Sequence, residues 1–270
     1  MIEKLIPTIQ RVCDYQLKSY REGRVEFTTK AGPTDFVSEV DIQSQQMIVE
    51  QIETLFPDAG ILGEEGCAKR VFEAELLFVI DPLDGTSNYR SKLDNWAISV
   101  GLLKNGCVHE GLIAFPLLNH IICHSDLSPY TALHFHSPDD LFLFGTDRLF
   151  DHQQFHFKNL KKRLLGATVP TIYFCLREAF QNRPGFDFAL LGTSKLWDVA
   201  GVAACLKQVG GSLLNLDGEE LLERDLLRLY TAPDRSITRF FPIIASANPS
   251  IARLICQTLQ DEKEQKRRSS

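Results

Sequence analysis

The sequence predicts a mixed α/β fold, and three observations carry that prediction. Apolar residues recur at helical spacing at the N-terminus and again ahead of Pro57; two short apolar runs, 60–63 and 76–80, each end in an acid; and the later half alternates helix-like with strand-like stretches. Taken in order, Ile2, Leu5, Ile6, Ile9, Val12 and Cys13 define an opening amphipathic helix. Val40, Ser44, Met47, Ile48, Ile52 and Phe56 form one face of a second helix over 38–56, which Pro57 ends. Strand 60–63 leads into Glu64-Glu65, and the wholly apolar strand 76–80 leads into Asp81. Strands at 96–103 and 108–115 flank Lys104-Asn105-Gly106, where Asn-Gly signals a hairpin turn.

Residues 116–160 carry too much Pro, His and Asp to assign, with 141–144 the one strand-like run. The pattern then resumes with a helix over 199–208 stopped by Gly210-Gly211, a strand over 212–216 and a turn at Asp217-Gly218. A strand over 242–247 follows, after which Asn248 caps and Pro249 starts a helix through 259. The closing DEKEQKRRSS reads as a frayed tail.

A chain of 270 residues is long enough to bury a substantial core, and 44% apolar with 24% charged residues is ordinary for a soluble globular protein. No apolar run is long enough to cross a bilayer, and Glu3, Lys4 and Arg11 break any apolar leader, so cytoplasmic residence is expected. Seven cysteines without a C-x-x-C pair read as reduced thiols. A net charge of -6 argues against broad nucleic-acid binding but not against a small anionic substrate, because a divalent cation reverses the local sign.

The most informative segment is Asp81-Pro-Leu-Asp84-Gly85-Thr86, directly after a buried strand. Two carboxylates three positions apart, stiffened by proline, offer hard oxygen ligands together with the Leu83 carbonyl, which suits magnesium. Gly85 and Thr86 then stand where backbone N–H groups hold a phosphate. A plain turn is the alternative for this segment alone. Asp41 shares a helical face with Ile48 and Ile52, so it points inward or else serves the helix dipole; Glu64 and Glu65 end a strand; Asp198 opens an apolar helix or caps it. Together these acids make sense if they converge on metal ions.

Four segments in this order resemble the inositol monophosphatase superfamily of lithium-sensitive, magnesium-dependent phosphatases: Lys30-Ala-Gly-Pro-Thr-Asp35 through Asp41, Gly63-Glu64-Glu65, Asp81-Pro-Leu-Asp-Gly-Thr-Ser-Asn88 and Trp197-Asp-Val-Ala-Gly201. The segment Ile243-Ile-Ala-Ser-Ala-Asn-Pro249 extends the likeness over nearly the whole chain. The resemblance implies a layered α-β-α-β-α sandwich of the inositol monophosphatase/fructose-1,6-bisphosphatase type, as a single domain over 1–260. Its metal and phosphate half would span about 1–145 and its substrate half about 146–260, with 261–270 a disordered charged tail. It further implies that Glu64, Asp81 and the Leu83 carbonyl hold one Mg2+, that Asp81, Asp84 and Asp198 hold a second, and that Glu64 touches a weaker third. Gly85 and Thr86 would bind phosphate, Thr86 with Asp41 would orient the attacking water, and Lys30 would lend electrostatic support. Members also tend to form homodimers.

The chain departs from the family pattern in three places. No glycine-rich hairpin follows the central strands, Arg163-Leu-Leu-Gly-Ala-Thr-Val-Pro-Thr171 replaces a common R-S-x-G-S-x-A stretch, and Leu190-Leu191 stand where several inositol-specific members carry an acid. Arg90, Lys92 and Lys195 are candidates for a second anionic group or are ordinary surface charges. His134 with His136, or His152 with His156, has zinc-compatible spacing but no third ligand. The expected substrate is a small phosphorylated metabolite: an inositol, sugar or histidinol phosphate, or a nucleotide-derived bisphosphate such as 3'-phosphoadenosine 5'-phosphate. The competing reading is a protein of this fold that acts by binding or regulation with little turnover.

Overall fold

A computed structural model of the chain describes residues 1–23, 27–29, 36–130, 141–146, 160–181, 183–234, 236–237 and 241–269. Lys30 with its segment through Asp35, and His134, His136, His152 and His156, lie outside the described residues. After a 3-10 turn at Ile2–Leu5 the elements are α1 (Ile6–Glu22), β1 (Phe27–Thr29), β2 (Phe36–Ser38), α2 (Glu39–Leu55), β3 (Gly60–Gly63), β4 (Ala68–Lys69), β5 (Leu76–Asp84) and α3 (Thr86–Arg90). A meander of β6 (Ala97–Lys104), β7 (Cys107–Phe115) and β8 (His120–Cys123) follows, then β9 (Leu143–Thr146), β10 (Lys161–Leu164) and α4 (Thr168–Gln181). The chain continues through β11 (Phe188–Ser194), α5 (Leu196–Gln208), β12 (Ser212–Asn215), α6 (Leu226–Tyr230), β13 (Phe241–Ser246) and α7 (Pro249–Ser269).

Among the described residues the strands form a six-stranded sheet ordered β4-β3-β5-β6-β7-β8, a five-stranded sheet ordered β10-β9-β11-β13-β12, and the separate pair β1-β2. Side-chain alternation along β5 divides the core. Phe78 and Ile80 join Ile9, Val12, Ile48 and Ile52 beneath α1 and α2. Leu77 and Val79 join Val199, Val202 and Leu206 of α5, Ile172 and Leu176 of α4, and Ala189, Leu191 and Ile243 of the second sheet. On that sheet's far side Leu190 and Ile244 pack with Ile251, Ile255 and Leu259 of α7. The layers are therefore helix pair, sheet, helix pair, sheet, helix, the sandwich that the sequence resemblance implies.

Two local rules place the acids. β3 and β5 are parallel, with Gly63 opposite Ile80, so Glu64, just after β3, and Asp81, within β5, stand at the same level on neighbouring strands. β5 then pairs antiparallel with β6, its register shifting between Asp81 and Asp84. That bulge takes Pro82, which has no N–H for the ladder, and carries the strand past its predicted end to Asp84. At the hairpin between β6 and β7, Asn105 and Gly106 both have positive φ, 51° and 80°, as the Asn-Gly pair predicts.

α5 lies unusually close on β6 and β7 because glycines face it. A Cβ at Gly111 would fall 2.1 Å from the Gly201 carbonyl oxygen, and one at Gly101 would fall 2.5 Å from the Ala200 Cβ. Two expectations need correction at helix ends. α7 does not stop near 259 with a frayed tail; it runs on to Ser269, because Glu, Lys, Gln and Arg are strong helix formers. α5 begins at Leu196 rather than 199, so Asp198 is not the N-cap residue but lies in the first turn, its side chain accepting the N–H of the N-cap, Lys195.

Gly111→Ala should lower unfolding free energy by about 1–3 kcal/mol, since the added methyl meets backbone that cannot move alone. Chemical denaturation measures this, and an unchanged midpoint would contradict the close approach.

Candidate active site

The site is built from the turn after β3, the bulged end of β5 and the first turns of α2, α3, α4 and α5. Ser38, the N-cap of α2, accepts from the N–H of Val40 at 3.2 Å and of Asp41 at 3.4 Å. Asp41 returns the bond by accepting the Ser38 N–H at 3.0 Å through Oδ2, closing a capping box; the Ser38 hydroxyl also donates to Oδ2. Its other oxygen, Oδ1, accepts from the Thr86 hydroxyl at 2.9 Å, which also lies 3.2 Å from the Leu83 carbonyl. Both readings of Asp41 therefore hold at once: it serves the helix start, and at 1% exposure it faces inward onto Thr86.

Asp81 is buried and accepts the Leu83 N–H at 3.0 Å. Asp84 is also buried, and each of its oxygens takes a backbone N–H from the start of α4: Thr168 at 3.2 Å and Val169 at 2.5 Å. Asp198 is half-buried at the third position of α5 and accepts the Lys195 N–H at 2.8 Å. Glu64, also half-buried, is fixed through its backbone N–H, which donates to the Ile80 carbonyl at 3.1 Å. Gly85 has φ +102°, and a Cβ there would fall 2.9 Å from the Asn95 carbonyl oxygen, so only glycine joins β5 to α3 by this route.

The acids act on one another electrostatically. Burial, then the charges of Glu64, Asp84 and Asp198, hold Asp81 well above the usual carboxylate range. Burial pushes Asp84 up to about 7 although two backbone N–H groups favour its charged form, and Glu64 adds to the rise. Asp198 is likewise raised by burial and by Asp84 and Glu64, with Lys195 opposing. Asp41 is raised by burial, with a smaller contribution from Glu64. Glu64, Asp84 and Asp198 thus all act on Asp81 through their charge, and every donor among them is a hard oxygen, the kind a divalent cation takes. Among the described residues no three His, Cys, Asp or Glu side chains close on one point tightly enough to hold an ion as they stand. Three of these carboxylates accept backbone N–H groups.

The predicted substrate contacts separate. Lys195 is half-buried at the N-cap of α5, its Nζ 5.2 Å from the centre of the Trp197 ring. Arg90 is exposed at the end of α3, its guanidinium 5.9 Å from the centre of the Phe27 ring. Lys92 is directed to α1, lying over the Tyr20 ring at 4.2 Å and bonding the Tyr20 carbonyl, so it does not join Lys195. Leu190 and Leu191 are both buried in the core. Sequence reasoning missed Asn88, whose amide donates to the carbonyls of Asn95 at 2.6 Å and Leu165 at 2.7 Å, tying α3 to the turn that starts α4. It also missed the Thr168 and Val169 amides; an N-capping role for Asp84 across 84 residues of sequence has no local signal.

The inositol monophosphatase family model matches residues 2–131. Over 211 residues the chain is 29% identical to a fructose-1,6-bisphosphatase/inositol-1-monophosphatase of Thermotoga maritima, covering 73% of this chain and 78% of that one. It is 38% identical over 91 residues to the Nus factor SuhB of Xylella fastidiosa, a match spanning 34% of this chain and 32% of the relative. Among solved structures, an IMPase/NADP phosphatase complexed with Mg2+ and phosphate superposes with a TM-score of 0.70 at 18% identity, covering 93% of this chain and 94% of that one, a likeness of fold. With its motifs in order on this layered fold, the chain resembles the inositol monophosphatase family, whose model matches just under half of its length.

Proposed function

We propose that the chain is a magnesium-dependent phosphatase of small phosphomonoesters. The observation that carries this is the Asp41–Thr86 hydrogen bond beside Asp81, Asp84 and Asp198, whose proton affinities burial and neighbouring acids raise. A water-orienting pair next to surplus negative charge is what hydrolysis of a phosphate dianion at a metal centre requires. Glu64, Asp81, the Leu83 carbonyl, Asp84 and Asp198 would hold two ions, and a third more weakly through Glu64. When bound, magnesium supplies Lewis-acid charge for the phosphoryl oxygens and lowers the pKa of water.

The chain's own groups do the rest. Asp41 accepts a hydrogen bond from the Thr86 hydroxyl, which leaves a hydroxyl lone pair to accept a hydrogen bond from the attacking water and so orient it. Gly85 and Thr86, at the start of α3, would receive the phosphoryl oxygens through backbone N–H groups. Lys195 beside Trp197 would meet the leaving-group side, and buried Leu190 and Leu191 leave no acid there for ring hydroxyls. Substrates bearing a second anion, such as a sugar bisphosphate or 3'-phosphoadenosine 5'-phosphate, fit that balance beside inositol or histidinol phosphate. Lithium sensitivity belongs to the same reading, since a small monovalent ion enters an oxygen-lined site without supplying the divalent charge.

Similarity to a relative named as a Nus factor supports a second reading, in which the fold works chiefly by docking to a partner. No helix among the described residues is long and apolar enough to cross a membrane.

Two measurements decide. Across a phosphomonoester panel, phosphate release should require Mg2+ and fall roughly a thousandfold in Asp84→Asn, as when other electrostatic stabilisers are removed; no release from any substrate would favour the docking role. Stability should also report the acids. In chelator, the folded chain keeps a proton on Asp84 up to about pH 7, whereas the unfolded chain releases it near 3.8. The folded state then binds more protons across that window, so stability declines as pH rises through it. Urea denaturation at pH 5.5 and 8 should show a larger decline for the wild type than for Asp84→Asn; equal slopes would contradict the raised pKa.

A further inference from the structure

We propose that Gln45, which touches no reacting group, is a positioning residue that fixes the Glu64-Glu65 turn for divalent-ion binding; this rests on the metal-dependent reading above. Gln45 lies one turn beyond Asp41 on α2 and is 5% exposed. Its carboxamide takes both backbone groups of a single residue: Oε1 accepts the Glu65 N–H at 2.9 Å, and Nε2 donates to the Glu65 carbonyl at 3.1 Å. The room for it comes from Gly63, where a Cβ would fall 2.2 Å from Oε1 and 2.5 Å from Cδ of Gln45. With the Gly63 N–H bonded to the Cys67 carbonyl at 2.7 Å and the Glu64 N–H to the Ile80 carbonyl at 3.1 Å, the backbone on both sides of Glu64 is held while the grip on Glu65 comes from α2.

A carboxamide suits this position because of its charge as well as its shape. It offers a donor and an acceptor together and adds no charge. A carboxylate at 45 would raise a negative potential that already perturbs Asp81, and a lysine or arginine would pair with Glu64 and withdraw it from an ion. The second acidic segment is gripped in the same manner. Gln16 of α1, fully buried, donates to the Pro82 carbonyl at 2.7 Å and to the Ser44 hydroxyl at 3.1 Å, next to Gln45. Neutral amides of the outer helix pair thus hold both acid-bearing turns by their backbone.

The test replaces Gln45 by methionine, of similar size and without hydrogen bonds, and follows Mn2+ binding by calorimetry on the full chain. Wild type should bind, and Gln45→Met should bind on the order of tenfold more weakly, as when groups that orient metal ligands are removed. At saturating Mg2+ most of kcat should return, because the Asp41–Thr86 pair is untouched. Gln45→Ala, which admits water, takes its place if the methionine variant fails to fold. Unaltered Mn2+ affinity in either folded variant overturns the positioning role. A wild type that binds no Mn2+ instead overturns the metal-dependent reading itself.

Discussion

Gathering carboxylates out of water within electrostatic reach of one another is the constraint from which the rest of this structure follows. Each charge withdrawn from solvent costs several kcal/mol unless it is compensated, and close like charges add to the cost. The chain carries this around Asp81, Asp84 and Asp198, and the consequence is visible in the raised proton affinities of these three. Compensation from within the protein is partial: backbone N–H groups for Asp81, Asp84 and Asp198, and the positive charge of Lys195 near Asp198. In the proposed reading a divalent cation would offset this charge, so that stability and chemistry become two aspects of one electrostatic imbalance.

The surrounding fold makes the imbalance sustainable. The parallel register of β3 with β5 aligns Glu64 with Asp81, the bulge at Pro82 re-aims the strand so that Asp84 follows, and close glycine packing seats α5 on β6 and β7. These are backbone devices, set by hydrogen bonding and steric contact, and they do not depend on the charges they position. Apolar cores on both faces of the six-stranded sheet supply the favourable free energy against which the buried acids are tolerated.

Legibility in the sequence followed the range of the interactions. Helix α2, strands β3 and β5 and the Asn105-Gly106 turn are written in local periodicity and turn chemistry, and all were recoverable. The inward direction of Asp41 was readable from helical phase, whereas its capping partner Ser38 was overlooked although the S-x-x-D spacing is local. Strand β11 and helix α4 received no assignment, since Leu190-Leu191 reads as apolar without phase and Pro170 obscures a helix start that proline in fact favours. The amide grip on Asp84 and the anchoring of Asn88 join residues about eighty positions apart, and no local pattern encodes them. The charged C-terminal segment was misread because polarity was taken as disorder where helix propensity decides.

The central claim, that these acids form a cage for divalent ions, is most directly tested by anomalous diffraction from crystals of the full chain soaked in Mn2+ near pH 7.5. Manganese peaks bounded by Glu64, Asp81, the Leu83 carbonyl, Asp84 and Asp198 are the predicted result. A map without such peaks, the carboxylates still resting on their backbone N–H partners, would contradict it.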